Sequence, residues 1–241
     1  MRARALARMH NYHLVARCCL YAASMYAVGL SNSIADWRAL RAGMNEAPML
    51  PDLAFDALPH VPELALAPDA CMRLVWLVLA GCIFREREWR ALTITFFDAQ
   101  SQLLVLRAIT VPLTSLPSPV APCVDKLPRD WLPFLADPAI RMLSADGLMS
   151  WCHDLVFSGH TAHLMLVALF VHSIARTRAA VRVGTYVLVG VGIGALLLAR
   201  LHYTLDVVLA LFATTAVFSR YHGDVPSPDP WPQAACAYSL F

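Results

Sequence analysis

The chain has 241 residues, of which 59% are apolar and only 15% charged, with a net charge of +2. A water-soluble domain carries about 25% charged residues, so this composition excludes a soluble globular enzyme and points to an integral membrane protein. The near balance of charge excludes a strongly basic face for nucleic acid, and the first 13 residues lack the charged start, apolar middle and small-residue end of a cleaved signal peptide.

Apolar runs of about 20 residues mark spanning helices. The sequence predicts six, over 14–35, 69–85, 91–112, 159–175, 182–199 and 203–219. The second is short and holds Arg73, and the third is unusually polar, with Asp98, Gln100, Gln102 and Arg107. Gly190 and Gly194 give the fifth a small-xxx-small spacing suited to close helix contact. The fold class expected is all-α: one polytopic bundle of six transmembrane helices over residues 1–222, then a mobile cytoplasmic tail over 223–241.

Basic residues stay preferentially on the cytoplasmic side. Arg2, Arg4, Arg8 and Arg17, then Arg85, Arg87 and Arg90, then Arg176, Arg178 and Arg182, and finally Arg220 fall on one side if six crossings are right. The other side receives the acidic segment 36–69 and the long proline-rich connection 113–158, which is expected to cover the lipid entrance. Both termini are then cytoplasmic. Two crossings separate His160 from His202, so the two share one face whichever way the bundle is oriented, here the lumenal or exoplasmic one.

Ser158-Gly159-His160-Thr161 and His202-Tyr203-Thr204-Leu205-Asp206 each open an apolar span. If residues 202–206 are helical, His202 and Asp206 share a face. The carboxylate can then accept the Nδ1–H of the imidazole and leave Nε2 free to attack. Ser158 and Gly159 precede a helix start, where free N–H groups attract a phosphate, and His160 can protonate a departing oxygen. Asp206 lies four residues into its span, and an ionisable group there is costly unless it is paired or functional. The catalytic set expected is His160, His202 and Asp206. The plainer alternative is an interfacial His/Asp pair.

At these residues the chain resembles the sphingomyelin synthase-related sphingolipid synthases, within the type 2 phosphatidic acid phosphatase superfamily. Cys152-His153-Asp154, three residues, then Ser158-Gly159-His160-Thr161 is similar to the family's Cys-Gly-Asp-x3-Ser-Gly-His-Thr, with His153 in place of glycine. His202-Tyr203-Thr204-Leu205-Asp206-Val207 and Phe218-Ser219-Arg220-Tyr221-His222 are similar to two further family motifs. Arg107-Ala108-Ile109-Thr110 and Pro51-Asp52 are weaker likenesses. The resemblance implies transfer of a phospho-head group, phosphocholine foremost, from a glycerophospholipid to ceramide with release of diacylglycerol. It implies that His202 attacks phosphorus to give a phosphohistidine, that Asp206 supports it, and that His160 protonates the leaving group and then deprotonates ceramide. No cofactor or metal is implied, and the compartment implied is a Golgi or plasma membrane.

Phosphoethanolamine or phosphoinositol as the transferred group, water as the acceptor, and a non-catalytic lipid-binding or transport protein are the rival readings. Lipid phosphatases of the superfamily usually carry an arginine six residues before the second histidine, where this chain has Leu196. Phosphate or head-group contacts are expected from Arg107, Asp154, Ser158 and Gly159, and from Arg200 if residues 200–202 are loop. For Arg107 the alternatives are a pair with Asp98 or an interfacial position. Asp98, Gln100 and Gln102 are expected in interhelical hydrogen bonds, and His163 and His172 as helix residues rather than metal ligands. Cys123 and Cys152 are placed for a bridge in the outer loop, while Cys18, Cys19, Cys71 and Cys82 read as packing residues. Trp37, Trp131, Trp151, Tyr203 and Tyr221 fall at span boundaries. A homo-oligomer is left open.

Overall fold

In hydrocarbon a backbone must close its hydrogen bonds within its own segment, which makes the helix the natural form of these apolar runs. The computed structural model describes residues 2–44, 47–119, 134–136, 138–139, 152–174 and 176–221, with side chains from His13 onward. Among the described residues the principal helices are, in chain order, α1 (Arg2–Arg41), α2 (Leu53–Ala57), α3 (Ala67–Phe84), α4 (Trp89–Thr110), α5 (Gly159–Ser173), α6 (Ala179–Leu198) and α7 (Thr204–Tyr221). Short 3-10 turns at Pro62–Leu66 and Val111–Leu113 lead into α3 and out of α4. No strand occurs among the described residues. Most of the proline-rich connection and the tail after Tyr221 lie outside them, so the expected cover and mobile tail do too.

All six predicted spans are helical, and most ends agree within a few residues. The exception is α1, whose 40 residues make about 60 Å of helix at 1.5 Å per residue, far more than the stretch 14–35. Four segments are long and apolar enough to cross a membrane: His13–Arg41, Pro62–Phe84, Ala179–Leu198 and Thr204–Tyr221. The other two are not, for different reasons. α4 has the length, at 22 residues, but carries Asp98, Gln100, Gln102 and Arg107. α5 has only 15 residues, or about 22 Å against about 30 Å of hydrocarbon.

Packing explains both. α5 is the axis of the bundle, in contact with α3, α4, α6 and α7, and its Leu164, Leu166, Val167, Phe170 and Val171 have no exposed surface. A helix apolar all round belongs inside protein, and one so enclosed need not match the lipid in length. α4 turns part of its polar set inward. Gln100, Ser101 and Arg107 are buried, and Gln100 Nε2 lies 2.7 Å from His163 Nε2. The His163 Nδ1–H donates to the Gly159 carbonyl at 2.8 Å, which leaves Nε2 to accept from Gln100. Asp98 pairs with Arg17 of α1 at 3.1 Å, and Gln102 bonds the Tyr221 hydroxyl. The interhelical roles expected of these polar residues hold.

Edge-to-face rings tie the helices together away from the histidines. Trp76 of α3 meets Phe96 of α4 at 5.0 Å, Phe96 meets Phe170 of α5 at 5.1 Å, and Phe170 meets Phe218 of α7 at 5.4 Å. Such pairs contribute about 0.5–1.5 kcal/mol each beyond their buried area. With lipid on the outside, packing of this kind replaces the hydrophobic effect as the force between helices.

The small-residue contact in α6 is not the one its spacing suggests. A Cβ at Gly190 or Gly194 would meet nothing within 4 Å, whereas one at Gly192 would lie 2.8 Å from Leu164 Cδ1 and 3.2 Å from Cys71 Cβ. Gly192 is therefore what lets α6 approach α5 and α3. Gly192→Val is expected to cost about 1–3 kcal/mol through overpacking, and Gly190→Ala and Gly194→Ala to change stability by no more than about 0.5 kcal/mol. Thermal unfolding in detergent checks the ordering.

Candidate active site

The alternation of the helices brings the start of α5, the start of α7, the start of α3 and the end of α4 to one end of the bundle. Ser158 caps α5, its Oγ accepting the Thr161 N–H at 3.3 Å, as the hydroxyl of an N-cap residue does. His160 is thereby fixed in the first turn. His202 sits in the bend just before α7, so the His202–Asp206 pair is not the helical i,i+4 pair that the spacing suggests. The two imidazoles face one another with ring centroids 6.3 Å apart.

Asp206 holds this arrangement. It is fully buried, and its Oδ2 accepts the Tyr203 N–H at 3.1 Å. This is the reach from the third helical residue back to the N-cap that a capping box uses. Its Oδ1 accepts the Val156 N–H at 3.0 Å, and its backbone carbonyl accepts the Ser158 N–H at 3.0 Å. The start of α7 is thus bonded to the loop that launches α5. The expected bond to His202 is looser: Nδ1 stands 3.5 Å from Oδ2, beyond a good hydrogen bond, and has no hydrogen-bond partner. Both carboxylate oxygens are already committed to the backbone. They still place a negative charge beside the ring.

The acid that bonds one of these two histidines comes from outside the catalytic set expected from the sequence. Asp69, in the first turn of α3, brings Oδ1 to 2.8 Å from His160 Nε2, with both side chains largely buried. The available signal was an acid directly after Pro68 at the head of a span, where an ionisable group needs a partner. Its pairing with His160, 91 residues away, is a product of the fold.

Arg107 is 3% exposed and makes neither expected structural contact. It pairs with Asp154 and donates to the carbonyl of Phe157, while Asp98 goes to Arg17. The guanidinium lies directly against Gly159, where a Cβ would come within 2.9 Å of Cζ. That glycine makes room for Arg107. Val156 and Phe157 both have φ of +63°, a region that costs a non-glycine residue about 1–3 kcal/mol. The bonds from Val156 N–H and Ser158 N–H to Asp206, and from Arg107 to Phe157, hold this strained turn.

Two further carboxylates brace the site from outside. His153 is buried, its Nδ1 3.1 Å from Asp36 Oδ1 of α1, and Asp36 also accepts the backbone N–H of His153 at 2.8 Å. Position 153 lies outside the positive-φ residues, so it has no conformational need of glycine, and the imidazole ties the loop to α1. Asp52 caps α2 through the N–H groups of Ala54 and Phe55, and also takes the Thr204 N–H at 2.7 Å and the Thr204 hydroxyl at 2.6 Å. Arg200 is in loop, with φ +55°, but donates to the Phe55 carbonyl at 3.2 Å and lies over the Phe55 ring. Tyr203 is buried, donating to the Pro117 carbonyl at 3.0 Å, and is no interfacial residue. Cys152 is disulfide-bonded and Cys18, Cys19, Cys71 and Cys82 are free. Cys123, like Trp131 and Trp151, lies outside the described residues.

Residues 151–223 match the family model described as PAP2 superfamily C-terminal. This stretch holds both histidines and Asp206, and the similarity to curated proteins extends it. The chain is 33% identical over 187 residues to human phosphatidylcholine:ceramide cholinephosphotransferase 1, covering 73% of this chain and 44% of that protein. The protein of the same name from Caenorhabditis elegans is 28% identical over 198 residues, covering 75% and 41%. A putative phosphatidylcholine:ceramide cholinephosphotransferase 3 from that organism is 24% identical over 217 residues, covering 86% and 63%. The chain carries a PAP2 superfamily C-terminal segment and is homologous to the sphingomyelin synthases at about 33% identity over most of its own length. It spans less than half the length of the human relative. His160 opens the central helix of its PAP2 segment and His202 precedes the last one, while Asp69, Arg107, Asp36 and Asp52 come from outside that segment.

Asp52 makes part of this frame sensitive to acid. Burial raises its pKa, but the hydrogen bonds from Thr204, Phe55 and Ala54 outweigh that and hold it below the ordinary 3.8. A carboxyl depressed in the folded state adds stability above its unfolded pKa and loses it as pH falls through the folded value. Wild type is expected to melt above Asp52→Asn by a margin constant at neutral pH, shrinking once pH drops past 3.8. A margin unchanged at pH 3 would show that the charge on Asp52 contributes nothing.

Proposed function

We propose that the protein is a sphingolipid synthase that moves a phospho-head group, phosphocholine foremost, from a glycerophospholipid to ceramide. The observation that carries this is the facing of His160 and His202 at 6.3 Å, each with a buried carboxylate beside it. The names of the relatives supply the donor and the acceptor. The chemistry is phosphoryl transfer in two displacements. The Nε2 of His202 attacks phosphorus, forming an N–P bond as the P–O bond to diacylglycerol breaks, and His160 gives the leaving oxygen its proton. His160 then takes the proton of the ceramide primary hydroxyl, whose oxygen attacks phosphorus and returns His202 to its free form.

The surrounding residues fit these steps. The Asp69 carboxylate accepts from His160 Nε2–H and so fixes the ring, leaving Nδ1 as the nitrogen that exchanges the proton with the lipid oxygen. Asp206 sets a negative charge near His202 Nδ1, which supports the positive charge that ring acquires on attack. Arg107 and Asp154 hold the strained turn and Gly159 against which the phosphate would rest, and Ser158 holds the helix start. In this reading Arg107 and Asp154 position the site, and the head group is met by what lies above them. Arg200 acts through α2 rather than on phosphate.

The membrane arrangement that goes with this reading has six crossings, with α4 and α5 completing the four longer spans as inward-facing members. Both termini face the cytoplasm and the site opens to the lumenal or exoplasmic side. Residues 1–222 form the catalytic unit and 223–241 the tail. The strongest rival keeps the site and uses water as acceptor, giving a lipid phosphatase or phospholipase C.

Purified protein in micelles with fluorescent ceramide, offered phosphatidylcholine, phosphatidylethanolamine and phosphatidylinositol separately, decides between them. Ceramide is expected to gain phosphocholine, read by mass. His202→Ala is expected to abolish turnover with the fold intact, since no nucleophile remains, and Asp69→Asn to lower kcat by about 10²-fold or more as the acid loses its support. Free phosphocholine beside unchanged ceramide would establish the hydrolase instead.

A further inference from the structure

The end of the bundle opposite the histidines holds a second polar cavity that the transfer chemistry does not use. Its volume is about 120 Å³, and it lies where α3 ends, α5 ends and α6 begins, lined by Arg85, Glu86, Ile174, Arg176, Thr177 and Arg178 among others. Helix ends of spanning segments mark the height of the lipid head groups. The cavity is about 22 Å from His160 along α5, from the length of that helix.

Three arginines and one glutamate line the cavity, so it is net positive. α6 begins beside it with Arg178 as N-cap, no side-chain capping bond and no acid in its first turn, leaving free N–H groups and the positive end of a 20-residue helix dipole. Several buried polar atoms around it also lack a hydrogen-bond partner: Thr177 Oγ1, Glu86 Oε1 and the Nε of Arg182, whose terminal nitrogen is held by the Ile174 carbonyl at 3.3 Å. Buried polar groups left open in this way are uncommon. A donor at Thr177 and an acceptor at Glu86 are complementary to a group carrying both phosphate oxygens and hydroxyls.

We propose that this cavity binds the head group of an anionic glycerophospholipid that carries hydroxyls, as a polyol phosphodiester does, in the leaflet away from the active site. The phosphate sits among Arg85, Arg176, Arg178 and the start of α6, and a head-group hydroxyl donates to Glu86 Oε1. The acyl chains run down the outside of the bundle, since the cavity has room for a head group and not for a lipid. A basic pocket between helices at this depth is the form such lipid sites take. The occupant bridges the α3–α4 and α5–α6 connections, and so stabilises the bundle.

The test is the melting temperature of the purified full chain in neutral detergent, with short-chain phosphatidylinositol, phosphatidylcholine or inositol phosphate added at equal concentration. Phosphatidylinositol is expected to raise it by several degrees, by binding the folded state, and less so at high salt. Phosphatidylcholine, which enters at the histidine site, is expected to raise it by less, and by an amount that is the same in wild type and in the double variant described next. Arg176→Gln/Arg178→Gln, both exposed positions, is expected to melt normally without lipid and to lose the excess shift from phosphatidylinositol. Glu86→Gln is expected to reduce that excess several-fold. An excess that survives the double variant would place the lipid elsewhere and overturn the proposal, as would no excess in wild type. An equal shift from inositol phosphate would overturn the lipid as occupant in favour of a soluble anion.

Discussion

One buried carboxylate holds the site together. Asp206 spends both oxygens and its own carbonyl on backbone N–H groups, two from the loop before α5 and one at the start of α7. A buried charge is tolerable only when its lone pairs are satisfied, and here satisfying them fastens the two helix starts that carry the histidines. The strained turn at Val156 and Phe157 is the local cost, and Arg107 carries the other half of that load. Once these bonds form, His160 and His202 have little freedom in how far apart they sit.

The rest of the bundle serves that end. α5 can be short because α3, α4, α6 and α7 enclose it, and His160 sits in the first turn of this buried helix. α4 buries Gln100 and Arg107, delivering Arg107 to the loop and Gln100 to His163. The supporting acids come from far along the chain: Asp36 at the end of α1, Asp52 before α2, Asp69 at the start of α3. Each bonds residues around the histidines, so α1, α3 and the segment between them frame a site whose two histidines belong to the PAP2 segment.

Much of this was legible in the sequence, and the rest was not for reasons of chemistry. Helix positions follow from hydropathy, which acts locally, and four of the six are long and apolar enough to span. That His160 and His202 share a face follows from counting crossings. The partner of His160 did not follow, because a carboxylate 91 residues away leaves no mark in local spacing. The pairing of Arg107 was misjudged among its alternatives for the same reason: Asp98 is close in sequence, Asp154 close in space. The His202–Asp206 spacing suggested a helical pair, yet the helix starts at Thr204 and the carboxylate is taken by the backbone. Gly190 and Gly194 fit a spacing rule, while Gly192 does the packing, since the rule does not say which face of α6 meets its neighbours. At position 153 the departure from glycine shows up as a tether to Asp36.

The central proposal is that His202 carries the phospho-head group between the two lipids. Mixing the purified protein with phosphatidylcholine labelled in its phosphate, in the absence of ceramide, and quenching at alkaline pH to preserve phosphoramidates, tests it most directly. The account predicts an acid-labile phosphocholine mass on the peptide bearing His202, absent in His202→Ala and discharged when ceramide is added. Head-group transfer to ceramide with no label on that peptide, or label on His160 instead, would contradict it.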